Sequence, residues 1–359
     1  MAQQAAIGLE VELKVLAESR QDPAVLAGAT FVSGSPGSLE DLRSLAEVSD
    51  VITFDHEGVD PAALRQLEDE GFTLAPGSAA KLHAQDKLHA RERLAGLGLP
   101  VPPFASVDDL TGFEAFASEN GWPVVAKAPR GGYDGRGVWI VADAREASEV
   151  LDVATGSLLL EPLLEIEREI AVIVARSTTG ESVTYPVVET VQQDAMCREI
   201  VAPAPVVAEV AAGAARIAEQ IAEEIGSTGV MALELFVTPD GLIVNELALR
   251  PHNSGHYSIE GCVTSQFEQH LRAVLGFPLG SAELVAPSVV TVNVVGTDAG
   301  DPAARMADAL AVPGAHVHLY GKASRPGRKL GHVTVCGDDF GPTREAARRA
   351  ARALEGSTS

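Results

Sequence analysis

The sequence predicts a mixed α/β and α+β protein, and three observations carry that expectation. Short apolar runs alternate with polar helical stretches in the opening third; a glycine-rich turn and a long hairpin dominate the middle; the end returns to strands closed by one helix. At 359 residues the chain is long enough for two or three domains, each able to bury its own core.

The opening runs are ELKVLAES, ATFVSG, DVITFDHEGV and FTLAPG, separated by segments such as SLEDLRSLAEVSD. That alternation is the pattern of a parallel, Rossmann-like sheet. Ala2 to Gly8 read as the tail of a helix entering ELKVL with no strand before it. That beginning is odd for a sheet of this kind. From His83 the chain changes: AQDKLHARERLAGLGLP has helical spacing and stops at Gly98 and Pro100, and VPPFASVDDL follows as an extended connector. Domains are accordingly expected at 1–82, 83–280 and 281–359.

The middle region opens with the strand WPVVAKAP, the turn RGGYDGRG and the strand VWIVAD, then the helix REASEVLDVA and the strand SLLLEPLL. EIAVIVARS and SVTYPVVE precede a polar segment and the helix PVVAEVAAGAARIAEQIAEEIG. The hairpin VMALELFVTPDGLIVNELAL, the polar RPHNSGHYSIEG and the helix SQFEQHLRAVLG complete it. The last region reads as the strands PSVVTVNVVG, AHVHLYG and LGHVTVCG and the helix TREAARRAARALEG, a small β-rich domain packing on the middle one.

A formal net charge of −23 argues against nucleic-acid and anionic-membrane partners, which call for a surplus of Lys and Arg on one face. A small soluble substrate is the better expectation. Cys197, Cys262 and Cys336 are odd in number and far apart, so neither a disulfide framework nor a zinc site is indicated, and a reducing cytoplasm fits. No apolar run approaches the roughly 20 residues of a membrane helix, and no targeting signal is read at the start.

Pro239-Asp240-Gly241 suits a three-residue hairpin loop closed by a left-handed glycine. Thr238 then faces Leu242, and the same count places Glu234 opposite Glu246. Two carboxylates facing each other across a ladder repel, especially among neighbours as apolar as Leu233, Leu235 and Leu247. A hard cation held by both acids and the Asn245 amide oxygen resolves the conflict, and Mg²⁺ suits such ligands. A solvated pair, or one protonated acid, would do so as well.

RGGYDGRG holds four glycines in eight residues, so backbone N–H groups can approach an anion unobstructed, with Lys127 nearby as a point charge. A plain hairpin turn also needs glycine, and the segment fails both GxxxxGK[ST] and strict GxGxxG. Arg250, His252, Asn253, Ser254 and His256 follow within ten residues of Glu246 and could bind a small oxyanion, Arg250 as a fork and His252 as a donor. Structural histidines are the alternative. Lys322, Arg325, Arg328 and Lys329 form a basic cluster in an acidic chain, either a phosphate site or a solvated turn.

Together, VVAKAPRGGYDGRG, MALELFVTPDGLIVNELALRPHNSGH and RPGRKLGHV resemble the N5-carboxyaminoimidazole ribonucleotide synthases of the ATP-grasp superfamily, across essentially the whole chain. The resemblance implies an ATP-grasp fold behind a pre-ATP-grasp sheet, in an enzyme using ATP, bicarbonate and 5-aminoimidazole ribonucleotide with Mg²⁺, or Mn²⁺ in its place. It implies ATP contacts by Arg91, Lys127, the loop Gly132, Tyr133, Asp134, Gly135, Arg136, Gly137 and Val138, a hinge at Glu161, Pro162, Leu163 and Leu164, and Glu169 at the ribose. Gln192, Asn245 and Glu246 also border the nucleotide, and Glu234, Asn245 and Glu246 hold the metal. Tyr133, Asp134 and Arg136 fall to the imidazole, Arg250 and His252 to bicarbonate, and Lys322, Arg328 and Lys329 to the ribose phosphate. A cytoplasmic homodimer is implied too.

The chain departs from the resemblance at Gln192, where a histidine is frequent, at Thr190, where an asparagine is, and at Leu249, where a proline is. It departs most at its start, where such chains open with a strand and a GGGQL-type loop, so the resemblance implies that the sheet lacks its first strand and that the true start lies upstream of Met1. The rivals are a catalytically impaired homologue acting as a binding subunit and another ATP-grasp carboxylate–amine ligase, such as the formate-dependent glycinamide ribonucleotide transformylase.

Overall fold

The computed structural model describes residues 1–132 and 137–356. Helix Ala2–Gly8 leads into the strand Lys14–Ala17, as expected, and that strand pairs in parallel with Thr30–Ser33. The next two runs contribute a single parallel bridge, Ile52 to Leu74. Helices here begin at side-chain caps: Ser38 accepts from the Asp41 N–H and Asp60 from the Ala62 N–H. Their apolar faces, through Leu42, Leu64 and Leu67, close on Ile52 and Phe54.

A four-stranded antiparallel sheet follows in the order Ala105–Val107, Leu158–Pro162, Val124–Lys127, Val138–Val141. Helices Leu110–Asn120 and Ala144–Val153 pack Phe113, Phe116, Ala147 and Val150 against Val124, Ala126 and Leu160.

The largest sheet runs Gly241–Ala248, Gly229–Thr238, Arg168–Arg176, Val188–Gln193, Met196–Ala202, Ser288–Val295, Lys329–Gly337, His316–Leu319, with Ser182–Thr184 beside Arg168–Arg176. Helix Ala208–Glu224 buries Ala214, Ala218, Ile221 and Ala222, one face at helical spacing, on Val172, Val174, Met231 and Leu233. Helix Phe340–Glu355 covers the far end through Ala347, Ala350, Ala351 and Leu354. Pairing runs unbroken across position 280, because Met196–Ala202 lies antiparallel to Ser288–Val295.

Two sequence expectations need correction. The segment after PVVE is the strand Met196–Ala202, reached through Asp194 and Ala195 at φ of 52° and 57°. Such a turn ordinarily carries Asn, Asp or Gly first and Gly second, and Ala195 in the second place hides it in QQDAMC. SVTYPVVE is two strands, broken where buried Tyr185 turns to donate to the Thr264 carbonyl at 2.9 Å. Among the described residues no disulfide joins Cys197, Cys262 and Cys336, and no helix is long and apolar enough to cross a membrane.

Candidate active site

The hairpin forms, but by a different count. Thr238 pairs with Gly241, so the connection is Pro239 and Asp240, one residue shorter than the sequence suggested. Carried through, that register would set Glu234 against Asn245. A bulge at Asn245 changes it: Leu235 pairs with Val244, and Glu234 with Glu246. The outer edge of the bulged strand is held from helix Lys87–Gly96. Arg91, 3% exposed, donates to the Val244 carbonyl at 2.9 Å and the Asn245 carbonyl at 2.8 Å, while the Val244 N–H donates to the Pro100 carbonyl at 2.7 Å. An edge strand is thus satisfied by a side chain and a connector instead of another strand.

Arg91 has a second partner. Its Nε lies 2.7 Å from one oxygen of Glu161, and the Lys127 Nζ lies 2.7 Å from the other. All three residues are buried. Burial alone would raise the Glu161 pKa, but Lys127 and Arg91 hold it below the ordinary carboxylate range. Lys127 also reaches the Asn245 Oδ1 at 3.4 Å. The Glu161 carboxylate is therefore committed between two cations, and the chain emerges from cover beyond it, with Leu163 exposed and Pro162 and Leu164 half-buried.

Three acids gather where the hairpin meets the strand Arg168–Arg176. Burial, then Glu246 and Glu169, pushes Glu234 up to about 8. Burial also raises Glu169, which is hydrogen-bonded to Gln192. Glu246 is more open and pairs with the Lys87 Nζ at 3.3 Å. Protonation of Glu234 or a bound cation relieves this crowding. Among the described residues no group of three or more His, Cys, Asp or Glu forms a closed metal cage. Two carboxylates and an amide oxygen still fit Mg²⁺, which takes few protein ligands and completes its shell with phosphates and water.

The segment after the hairpin folds over these acids. The Ser254 N–H donates to the His252 Nδ1, which leaves the proton of the neutral ring on Nε2, facing the Glu234 Oε1 at 3.5 Å. Burial, Arg250 and Lys329 push His252 down to about 3. The fully buried Gln266 fixes the backbone of His252 on both sides, accepting from its N–H at 2.9 Å and donating to its carbonyl at 2.7 Å. Lys329 acts electrostatically on both Glu234 and His252. Lys322 lies 5.3 Å over the Tyr320 ring, and Arg328 donates to the Ala323 carbonyl of its own turn.

The structure thus brings Arg91, Lys127, Glu161, Glu169, Gln192, Glu234, Asn245, Glu246, Arg250, His252 and Lys329 into one region. Lys322 and Arg328 lie on the turn leading to Lys329. Tyr133, Asp134, Gly135 and Arg136 lie outside the described residues. The ends of their loop are defined: Gly132 on one side, and on the other Gly137, at φ 71°, and Val138, with the Ala128 N–H donating to the Gly137 carbonyl at 2.8 Å.

Sequence reasoning missed several participants. Glu57 faces the Arg250 Nε at 3.3 Å, and Lys81 holds Glu57 from behind at 2.5 Å. The signal was DHEG after the apolar run DVITF, since the carboxyl ends of parallel strands are where such sheets present ligand groups. Asp86, which caps helix Lys87–Gly96, also holds Arg130 of the loop stem at 2.8 Å; with Lys87 on Glu246 it ties the loop to the hairpin.

Comparison with known proteins gives matches along nearly all of the chain. Residues 1–85 match the ribonucleotide synthetase preATP-grasp domain, 92–267 the ATP-grasp domain and 289–347 the phosphoribosylaminoimidazole carboxylase C-terminal domain. The N5-carboxyaminoimidazole ribonucleotide synthase of Mycobacterium tuberculosis is 47% identical over 99% of this chain and 85% of its own. That of Corynebacterium ammoniagenes is 42% identical over 98% and 88%. Among solved structures, the Aspergillus clavatus N5-carboxyaminoimidazole synthase in complex with ADP and 5-aminoimidazole ribonucleotide superposes with a TM-score of 0.90, 31% identity and coverage of 99% and 95%. The folds agree through all three segments.

Proposed function

The chain belongs to the N5-carboxyaminoimidazole ribonucleotide synthase family of ATP-grasp ligases, and from that premise we propose how its residues divide the reaction. It is an ATP-dependent ligase that carboxylates 5-aminoimidazole ribonucleotide in purine biosynthesis. The carbon source is bicarbonate. A bicarbonate oxygen bonds to the γ-phosphorus as ADP leaves, giving carboxyphosphate; the exocyclic amine then takes the carboxyl carbon, as carboxyphosphate or released CO₂, and phosphate departs.

Bicarbonate is a poor electrophile, so the protein's work is position and charge. Arg250 clamps the bicarbonate, with the His252 Nε2–H as a neutral donor beside it. Lys127, paired with Glu161, faces the phosphates. Glu161 to Leu164 border the adenine, Glu169 and Gln192 the ribose, and Lys322, Arg328 and Lys329 hold the substrate phosphate. The loop from Gly132 to Val138 closes over the nucleotide, with Tyr133, Asp134 and Arg136 toward the imidazole, and excludes water from a labile intermediate. Glu234, Glu246 and Asn245 would hold Mg²⁺, whose chemistry when bound is to neutralise charge on the β- and γ-phosphates.

The observation that carries this reading is the bulge at Asn245, which turns a two-residue hairpin into one that opposes Glu234 and Glu246. Strand geometry without a ligand to serve gains nothing from that opposition. The divisions 1–82, 83–280 and 281–359, a cytoplasmic location and a homodimer belong to the same proposal. The test is ADP formation with each substrate omitted in turn: turnover should require both bicarbonate and 5-aminoimidazole ribonucleotide. Activity with formate in place of bicarbonate, or ATP binding without turnover, would overturn it.

A further inference from the structure

Lys81, on helix Ser78–Gln85, is 0% exposed. Its Nζ lies 2.5 Å from the Glu57 Oε2 and 3.0 Å from the His56 carbonyl, and 4.5 Å over the Phe54 ring. The other Glu57 oxygen faces the Arg250 Nε at 3.3 Å, yet neither of those two buried atoms has a hydrogen bond. One carboxylate is divided between two cations, and it engages one of them fully and the other loosely. A lysine so far from water carries a heavy desolvation cost, which its pairing with Glu57 offsets. No step of the reaction proposed above uses it.

We propose that Lys81 is a positioning residue that sets the oxyanion affinity of Arg250 by competing with it for Glu57. An arginine beside an unshared carboxylate closes into a bidentate fork. Here the ammonium takes the Oε2 that such a fork needs, so Arg250 stays short of the full pairing. Its Nη1 donates instead to the Pro251 carbonyl at 3.0 Å. Without the ammonium, Glu57 would swing wholly to Arg250 and compete with the incoming bicarbonate for the same guanidinium. Through this contact the N-terminal region, which supplies Glu57 and Lys81, tunes a group at the end of the hairpin. The inference rests on Arg250 being the bicarbonate clamp.

The test is steady-state kinetics on the full chain carrying Lys81→Met, with bicarbonate and ATP varied separately and the thermal midpoint recorded. The KM for bicarbonate should rise roughly tenfold, equivalent to about 1.4 kcal/mol. The KM for ATP and the midpoint should stay as in the unsubstituted protein. Lys81→Arg, which keeps the charge, should restore the bicarbonate KM, and Lys81→Gln gives a second neutral variant should the Met form fail to fold. An unchanged bicarbonate KM in a folded neutral variant would overturn the proposal. So would an equal rise in both KM values with a lowered midpoint, the mark of a packing role. Absence of bicarbonate-dependent turnover in the unsubstituted protein would instead refute the functional reading beneath it.

Discussion

Loading a divalent cation onto the metal-free protein should release close to one proton per ion at neutral pH. Burial, Glu246 and Glu169 push Glu234 up to about 8, from an ordinary value of 4.5. At pH 7 such a group is about 90% protonated, and a cation between Glu234 and Glu246 must displace that proton. At pH 9 the protonated fraction falls to about 10%, so the release should nearly vanish. The sign for stability follows from the same shift. A carboxyl whose pKa is raised on folding favours the native state below its unfolded pKa, and that contribution is lost as pH climbs through the folded value. The metal-free protein should therefore weaken between about pH 5 and 8, and the cation should remove the slope. Calorimetric titration with Mn²⁺ in buffers of different ionisation enthalpy gives the proton count directly. Glu234→Gln should bind the ion more weakly and release none. No proton release at pH 7, or equal release at pH 7 and 9, would refute the reasoning.

Other perturbations test the supports of the site. Arg91→Met leaves Glu161 and two carbonyls short of partners and should destabilise by about 3–5 kcal/mol, read as a lower denaturation midpoint with weaker ATP binding; Arg91→Lys should not rescue it, because one ammonium cannot span three oxygens. Gly137→Ala places a side chain at φ 71°, its Cβ 3.2 Å from the Ala128 Cβ, and should cost about 1–2 kcal/mol, raising the KM for ATP without changing the substrate requirement; an unaltered KM would count against the loop's part in nucleotide binding. Since burial, Arg250 and Lys329 push His252 down to about 3, its ring should stay neutral from pH 5 to 8; an NMR titration with a midpoint near 6.5 would contradict that.

The hairpin also marks the limit of what the sequence makes legible. The opposition of Glu234 and Glu246 was readable, but through a three-residue loop that the chain does not form. Two displacements of one residue cancel, and the second depends on Arg91, more than 150 positions away, holding the Val244 and Asn245 carbonyls. Local spacing can propose that two acids meet; it cannot say what sets the register, because edge-strand partners come from tertiary contacts. The same limit hid Met196–Ala202, whose turn breaks the usual residue rules, and Glu57 with Lys81, whose importance arises only where the first region meets the end of the hairpin. What was legible shares one property. The glycine loop, the paired acids and the polar tail after them each place their diagnostic residues within about a dozen positions, short enough for backbone geometry to link them. The charge relations that tune those residues join distant segments, and there composition and spacing carry no sign of which carboxylate will be shared, or between which cations.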